Sequence, residues 1–139
     1  LENNFPSNIL VLGNKSHLEA LYIMSLSDLG LMPYQRNLSM GRFSLNSLEW
    51  MSPLKMFDYM NSRLLILASY HDVLEEVLEN NYSCIFIQNY DDPDAWIQNI
   101  KKIKKSHINR IGLNAKKIFN TKYTYDNRTK IILENLIAV

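Results

Sequence analysis

The sequence predicts an α/β fold in which a parallel sheet is flanked by helices. The first observation is that short apolar runs alternate with segments of helical periodicity four times along the chain, which is typical of parallel strands joined by helices. The second is size and composition. The chain has 139 residues, 47% of them apolar, and this is enough for one domain with its own core.

Two strands and one helix are predicted in the first 33 residues. Residues 8–13 form an apolar run that ends in glycine, which predicts a buried strand followed by a turn. Ser16 and Glu19 have the spacing of a capping box, so a helix is predicted to begin there. Residues 29–32 are apolar and are followed by Pro33, which predicts the second strand.

The remaining elements follow from the same patterns. Apolar runs at residues 64–68 and 82–87 predict the third and fourth strands, with a helix over residues 72–79 between them. Three more helices are predicted in the last third of the chain, and they begin near residue 91, near residue 106 and near residue 125. The last one is expected to run to about residue 137.

An anion site is predicted where a helix begins after a long loop. Ser52 has the chemistry of an N-cap, and Pro53 suits the first helical position because its missing N–H is not needed there. The free N–H groups of Leu54 and Lys55 would then face an anion, and the Lys55 side chain adds a positive charge. Asp58 follows about one turn later, within reach of hydroxyl groups on the same ligand. A bare capped helix start remains the alternative.

The predicted topology supports that site. Right-handed crossovers place the loops that follow parallel strands at one edge of the sheet, where ligands of such sheets bind. The loop after Gly13, the loop over residues 34–52 and the helix start at Ser52 are all expected at this edge. A loop as long as residues 34–52 inside a compact domain is usually functional or mobile.

Charge is concentrated in one region of an otherwise balanced chain. Residues 101–130 contain ten Lys or Arg and one acidic residue, a net charge of +9, so the other residues carry −8 of the total of +1. Two interpretations stay open: a patch for anionic lipid headgroups or nucleic acid, and an ordinary solvated outer face. Nucleic acid is disfavoured because no stripe of aromatic residues accompanies the lysines.

Several classes of protein are excluded by composition. The single cysteine, Cys84, lies in an apolar run, which excludes a disulfide framework or a cysteine-rich metal site and fits a reducing, cytoplasmic setting. The three histidines are far apart in sequence and have no ligand spacing. No apolar stretch approaches the roughly 20 residues that a membrane-spanning helix needs.

An ordered set of motifs resembles one family. Residues 52–60, Ser-Pro-Leu-Lys-Met-Phe-Asp-Tyr-Met, precede an apolar strand that ends in Leu-Ala-Ser, and this is similar to the nucleotide-sugar site of the group 1 retaining glycosyltransferases of the GT-B fold. Further pieces resemble the family in the same order, and they cover nearly the whole chain: residues 12–13, 27–33, 73–78, 91–96 and 123–128.

The resemblance implies a function. The fold would be the Rossmann-like, donor-binding C-terminal domain of a glycosyltransferase that moves a sugar from a nucleotide to a glycan or glycolipid acceptor, as in polysaccharide biosynthesis. Ser52 and the N–H groups of Leu54 and Lys55 would hold the donor diphosphate, and Asp58 would bind the ribose. Gly13 and Asn14 would line the base. No cofactor and no metal is required, and nucleic acid is not an expected partner. The place of action would be cytoplasmic, with contact to the inner membrane face through residues 101–130 as one alternative.

The sequence also departs from the family pattern. Asp58 is one methylene shorter than the usual glutamate, and Trp50 stands where a second glutamate is common. Arg63 replaces a usual glycine, as either a surface substitution or a side chain that crowds the turn. The family fold has two such domains, so the single domain over residues 1–139 is expected to be a truncated one that lacks the acceptor half and is inactive alone.

Two other classes remain open at this point. The same departures fit a non-catalytic binding or assembly module that keeps the fold and has lost the transferase chemistry. A flavodoxin-like or response-regulator domain shares the alternation of strands and helices. It would, however, need an acidic cluster or a phosphate loop after the first strand, and residues 13–15 provide neither.

Overall fold

The computed structural model describes residues 5–35 and 52–137 and contains a three-stranded parallel sheet flanked by helices. Within those ranges the elements, in chain order, are α1 (His17–Ser25), β1 (Leu29–Met32), α2 (Leu54–Asn61), β2 (Leu65–Ser69), α3 (Asp72–Glu75), β3 (Cys84–Ile87), α4 (Pro93–Lys102), α5 (Lys105–Ile118) and α6 (Tyr125–Ile137). A five-residue π-helical segment, Phe119–Tyr123, joins α5 to α6. This confirms the predicted α/β class with a Rossmann-like arrangement.

The strands lie in the order β1-β2-β3, and both pairings are parallel. Gly30 is opposite Ile66, and Ile66 is opposite Cys84. As the central strand, β2 has neighbours on both sides, and all five of its residues are buried. A strand that is buried on both faces has a continuous run of apolar residues, and this run made β2 easy to predict from the sequence.

The main core lies on one face of the sheet. Alternate residues of the strands point to this face because side chains alternate along a strand. Three helices cover this face. Their core residues include Met56 and Met60, one turn apart in α2, Leu74 of α3 and Ala115 of α5. The strand residues of the cluster are Met32, Ile66, Ala68, Cys84 and Phe86.

The C-terminal end of α2 is a Schellman motif. The N–H of Leu64 donates to the carbonyl of Tyr59 at 3.0 Å, and the N–H of Arg63 donates to the carbonyl of Met60 at 3.1 Å. Arg63 adopts a φ of 61°, a left-handed conformation that glycine takes at little cost. Its side chain is exposed, so Arg63 strains the backbone of the turn and does not crowd it with side-chain atoms.

The prediction of a strand over residues 8–13 is wrong. These residues are irregular and exposed, with Leu10 at 79% of its full accessibility. A strand needs a neighbour to satisfy its backbone N–H and C=O groups, and among the described residues β1 pairs with β2 alone. Apolar composition therefore identified a run that pairs with no strand in the described part of the chain.

The other elements form with shifted boundaries: β2 begins and ends one residue later than predicted, and β3 begins at Cys84 and not at residue 82. The capping box is present, since Ser16 Oγ accepts from the Glu19 N–H and the Glu19 carboxylate accepts from the Ser16 N–H. Helix α3 ends at Glu75 and not at residue 79. The N–H of Glu79 donates instead to the hydroxyl of Ser83, in the turn that precedes β3. Helix α5 begins one residue before Ser106. Within the described ranges no helix is both long and apolar enough to cross a membrane.

Candidate functional site

The carboxyl ends of the three strands form one edge of the sheet because all pairings are parallel. The segments that follow the strands, residues 33–35, 70–71 and 88–92, therefore lie along this edge. Helix α2 also begins there. It ends four residues before β2 begins, at the opposite edge, so its N-terminus points back to the carboxyl ends. The predicted anion site is thus at the edge where ligands of parallel sheets bind.

The cap of α2 differs from the prediction by one residue. Pro53, not Ser52, is the N-cap, and Leu54 is the first helical residue. Pro53 is buried, and its carbonyl accepts the N–H of Met56 at 3.0 Å. Ser52 is exposed, and no side-chain hydrogen bond caps the helix among the described residues, so the preference of serine for the N-cap did not locate the helix start.

Four of the six predicted site residues lie together at this helix start. Ser52, Leu54 and Lys55 are exposed, and Asp58 follows half-buried one turn along. The backbone N–H groups of Leu54 and Lys55 belong to the first turn, which precedes the intrahelical hydrogen bonds. These donors and the Lys55 ammonium group can reach one anion. Trp50 and most of the preceding loop lie outside the described residues.

The other two predicted residues, Gly13 and Asn14, are not at this edge. Gly13 lines a hollow together with Leu29, which begins β1, and Leu64, which precedes β2. These are the amino ends of the strands, on the far side of the sheet from Lys55. The expectation that the turn after Gly13 belongs to the carboxyl edge is therefore wrong. It depended on a strand at residues 8–13 that does not form.

The sequence patterns did not predict a polar cluster that lies at the carboxyl edge. A cavity of about 530 Å³ lies between the segments after β1 and β3, and Tyr34, Gln35, Tyr90 and Asp91 are among the residues that line it. His71 follows β2 between these segments, and its ring centroid lies 4.9 Å from that of Tyr90. His71 therefore lies beside a residue that lines the cavity.

The surroundings of His71 disfavour its charged form. Burial lowers the pKa of His71, and the Tyr34 backbone and the carboxylates of Asp72 and Asp91 oppose this shift. Its Nε2 atom is buried and has no hydrogen-bond partner in the described part of the chain. The buried hydroxyl of Ser69, at the end of β2, is in the same situation. Such groups are unusual in native proteins, where buried polar atoms are generally paired.

A usable sequence signal for this cluster exists. Tyr34, His71 and Tyr90 each follow the carboxyl end of a strand by two or three residues. Polar and aromatic side chains at those positions are candidates in any parallel sheet. The histidines were judged by their spacing in the sequence, which is a test for metal ligands and not for a sheet edge.

Charge differs across the edge. On the side of β2 and β3, the Glu75 carboxylate accepts the hydroxyl of Tyr70 at 3.1 Å. Hydrogen bonds to Glu75 and Asp72 raise the pKa of Tyr70 to about 12. Asp92 caps α4 nearby, where its carboxylate accepts the N–H of Asp94 at 2.9 Å. An anion is therefore favoured at the α2 side, beside Lys55, and hydroxyl groups are favoured at the acidic side.

The fold and this edge define the class of the chain: an α/β domain of the Rossmann-like type with its candidate site at the carboxyl ends of the strands. In comparisons with known proteins, no family model, curated protein or solved structure matches the chain. The glycosyltransferase resemblance consequently rests on the ordered sequence motifs. In the described ranges, no three His, Cys, Asp or Glu side chains are placed to hold a metal ion.

Proposed function

We propose that this chain binds the diphosphate of a nucleotide-sugar, as the donor-binding domain of a retaining glycosyltransferase. The observation that carries the proposal is the position of the first turn of α2. Its free N–H groups and the exposed Lys55 lie at the carboxyl edge of a parallel sheet. Helix N-termini at such an edge are established anion-binding positions, because the N–H groups and the helix dipole act together.

Different residues of the edge are proposed to bind different parts of the ligand. The N–H groups of Leu54 and Lys55 bind phosphate oxygens, and the Lys55 ammonium group neutralises part of the diphosphate charge. Asp58, one turn along α2, accepts hydrogen bonds from the ribose hydroxyls. The acidic side of the edge, near Asp91, suits the hydroxyl groups of a sugar. Negative charge there repels phosphate groups, so both phosphates of the ligand are expected at the α2 side.

The reaction follows from the resemblance. A parent enzyme would transfer the sugar with retention to a hydroxyl of a glycan or lipid-linked acceptor, and it would need no metal. The acceptor would be bound by a second domain, so the 139-residue chain is expected to bind the donor without transferring the sugar.

A non-catalytic binding module is the second candidate. Asp58 favours it, because a carboxylate one methylene shorter than glutamate reaches less far toward a ribose. Arg63 does not favour it. This residue lies at the opposite end of α2 from Lys55, where it strains a turn and cannot touch a ligand at the carboxyl edge.

Calorimetric titration of the chain with UDP, GDP and ADP tests the proposal. We expect saturable binding of one nucleotide and a loss of affinity of about tenfold to a hundredfold in Lys55→Ala, the usual value of a charge-assisted hydrogen bond. Asp58→Ala should weaken nucleotide binding but leave the affinity for inorganic pyrophosphate unchanged. Lys101→Ala is the matched control, because this exposed lysine lies at the far end of α4.

Two results would contradict the proposal. One is the absence of saturable nucleotide binding by a chain whose circular dichroism shows it to be folded. The other is equal loss of affinity in Lys55→Ala and Lys101→Ala, which would indicate nonspecific attraction to basic residues.

A further inference from the structure

Helix α1 has apolar residues on two opposite sides. The side toward the domain is half-buried and includes Ala20 and Met24. On the other side Leu18, Tyr22 and Leu26, the C-cap, are spaced by four residues, so they lie in one stripe along the helix. Their side chains are 78%, 66% and 71% exposed. A helix that is apolar on both sides is normally covered on both sides, and the described residues cover this one on one side only.

The exposed stripe lines a groove. Leu10 and Leu12, from the irregular segment before α1, line it as well, and its volume is about 710 Å³. We call the surface formed by these five residues the α1 groove. Their exposed surface amounts to roughly 600 Å² per chain, against roughly 800 Å² that each partner buries in a typical stable interface. Contiguous apolar surface of this size on a domain usually marks an interaction site.

Few charged residues accompany the α1 groove. Residues 5–28 contain one lysine and two acidic residues, Lys15, Glu19 and Asp28. A surface with so little positive charge does not attract nucleic acid or anionic lipid headgroups. Lys15 precedes the stripe and lines the groove, and the exposed Asp28 follows the stripe at its other end. The two ends of the stripe are therefore flanked by opposite charges.

The arrangement is self-complementary for two antiparallel copies of α1. Tyr22 lies midway between Leu18 and Leu26, so a two-fold axis that passes beside Tyr22 places Leu18 of each copy opposite Leu26 of the other. The same axis brings Lys15 of each copy to the end of the other helix that is followed by Asp28. In this arrangement apolar side chains face apolar side chains, opposite charges approach each other, and the helix dipoles are antiparallel.

We propose that two copies of this chain associate through the α1 groove, with the α1 helices antiparallel and the two Tyr22 rings at the two-fold axis. Tyrosine suits this central position because it buries much apolar surface and can keep its hydroxyl group hydrogen-bonded. An unrelated protein would also cover the apolar residues, but it would make no use of the symmetric positions of Lys15 and Asp28. The inference is independent of the proposed nucleotide site, which lies at the start of α2.

Sedimentation velocity of the 139-residue chain over a range of concentrations tests the proposal. We expect a reversible equilibrium between monomer and dimer, with a dissociation constant on the order of 10 µM, because the buried area is below the typical value. Tyr22→Lys and Tyr22→Glu should each weaken the dimer at least about tenfold, because two like charges then face each other across the axis.

Mixing the two variants distinguishes a two-fold contact at Tyr22 from any other effect of the substitutions. An equimolar mixture of Tyr22→Lys and Tyr22→Glu should form a dimer with one copy of each, because opposite charges then meet at the axis. Tyr22 is exposed, so both variants should fold, and circular dichroism checks this. Leu136→Lys is the matched control, since it places the same charge at an exposed apolar position of α6 and should dimerise like the parent chain.

Carbodiimide cross-linking of the parent chain needs no substitution and should join Lys15 to Asp28 within the covalent dimer, as read by mass spectrometry. The proposal is overturned if the parent chain stays monomeric well above the expected dissociation constant, or if its covalent dimer is joined at other positions alone. A dimer that both Tyr22 variants leave intact, or that Leu136→Lys dissociates, would also overturn it. So would a mixture of the two folded Tyr22 variants that contains no mixed dimer.

Discussion

Gly112 in α5 lies directly against the backbone carbonyl of Arg63, at the turn that ends α2. A Cβ atom at this position would overlap the carbonyl oxygen, and a main-chain atom cannot rotate away as a flexible side chain can. We therefore expect Gly112→Ala to lower the free energy of unfolding by about 1–3 kcal/mol, the usual cost of overpacking, although alanine is the better helix former.

Denaturant unfolding followed by circular dichroism measures this change. Asn109→Ala, at an exposed position of the same helix, is the matched control and should be neutral or slightly stabilising. An equal effect of the two substitutions would show that close packing at Gly112 does not contribute to stability.

The left-handed conformation of Arg63 leads to a stabilising substitution. Arg63→Gly should raise the free energy of unfolding by about 0.5–1 kcal/mol, because glycine adopts a φ of 61° without a steric penalty. Arg63→Ala is the control, since it also removes the side chain but keeps the strain of the Cβ atom. If Arg63→Ala stabilises as much as Arg63→Gly, the gain comes from loss of the charged side chain and not from the backbone.

Cys84 is expected to be chemically inert in the native chain. It is fully buried in β3, and burial raises the pKa of its thiol, so almost no thiolate is available near neutral pH. Iodoacetamide should label the unfolded chain in guanidinium and leave the native chain unlabelled, as measured by mass spectrometry. Labelling of the native chain at the rate of a free thiol would show that β3 opens readily.

His71 should make the domain less stable in mild acid. Burial lowers the pKa of His71 below its ordinary value, so in mild acid the unfolded chain binds a proton more readily than the folded one. This contribution to stability is present above the ordinary pKa and is lost as the pH falls through the folded pKa. The opposing carboxylates of Asp72 and Asp91 reduce the shift but do not reverse it.

Unfolding free energies at a series of pH values from about 7 to about 5 test this expectation. The His71→Gln variant is neutral throughout that range, so its stability should depend less on pH than that of the parent chain. An identical pH dependence in both proteins would assign the effect to other groups.

The strands that formed were identifiable because local composition and tertiary position agree. The central strand β2 is buried on both faces and reads as an unbroken apolar run. Helix α4 carries its own start signals, Asp92 at the N-cap and Pro93 in the first turn. Where such signals act locally, the predicted boundaries of helices and strands are correct within a few residues.

The candidate site was only half predictable. The segment around Lys55 could be found because the residues that form an anion site at a helix start are neighbours in sequence. The cluster of Tyr34, His71 and Tyr90 is far apart in sequence and comes together only when β1, β2 and β3 pair, so it could be found only from the position of each residue after a predicted strand. Gly13 was placed at the wrong edge because its position depended on a strand that does not form.

The sequence by itself determined the α/β class, the capping box of α1, the core strand β2 and the bounds of α6, since hydrophobic periodicity and caps act over a few residues. Tertiary structure decided the features that depend on contacts between distant segments of the chain. Residues 8–13 have the composition of a strand and are irregular, and they pair with no strand in residues 5–35 and 52–137. The N-cap of α2 is the buried Pro53 and not the exposed Ser52. The apolar residues of α6, Ile131, Ile132, Leu133 and Leu136, are exposed, and periodicity shows that a helix has an apolar side but not whether that side is buried.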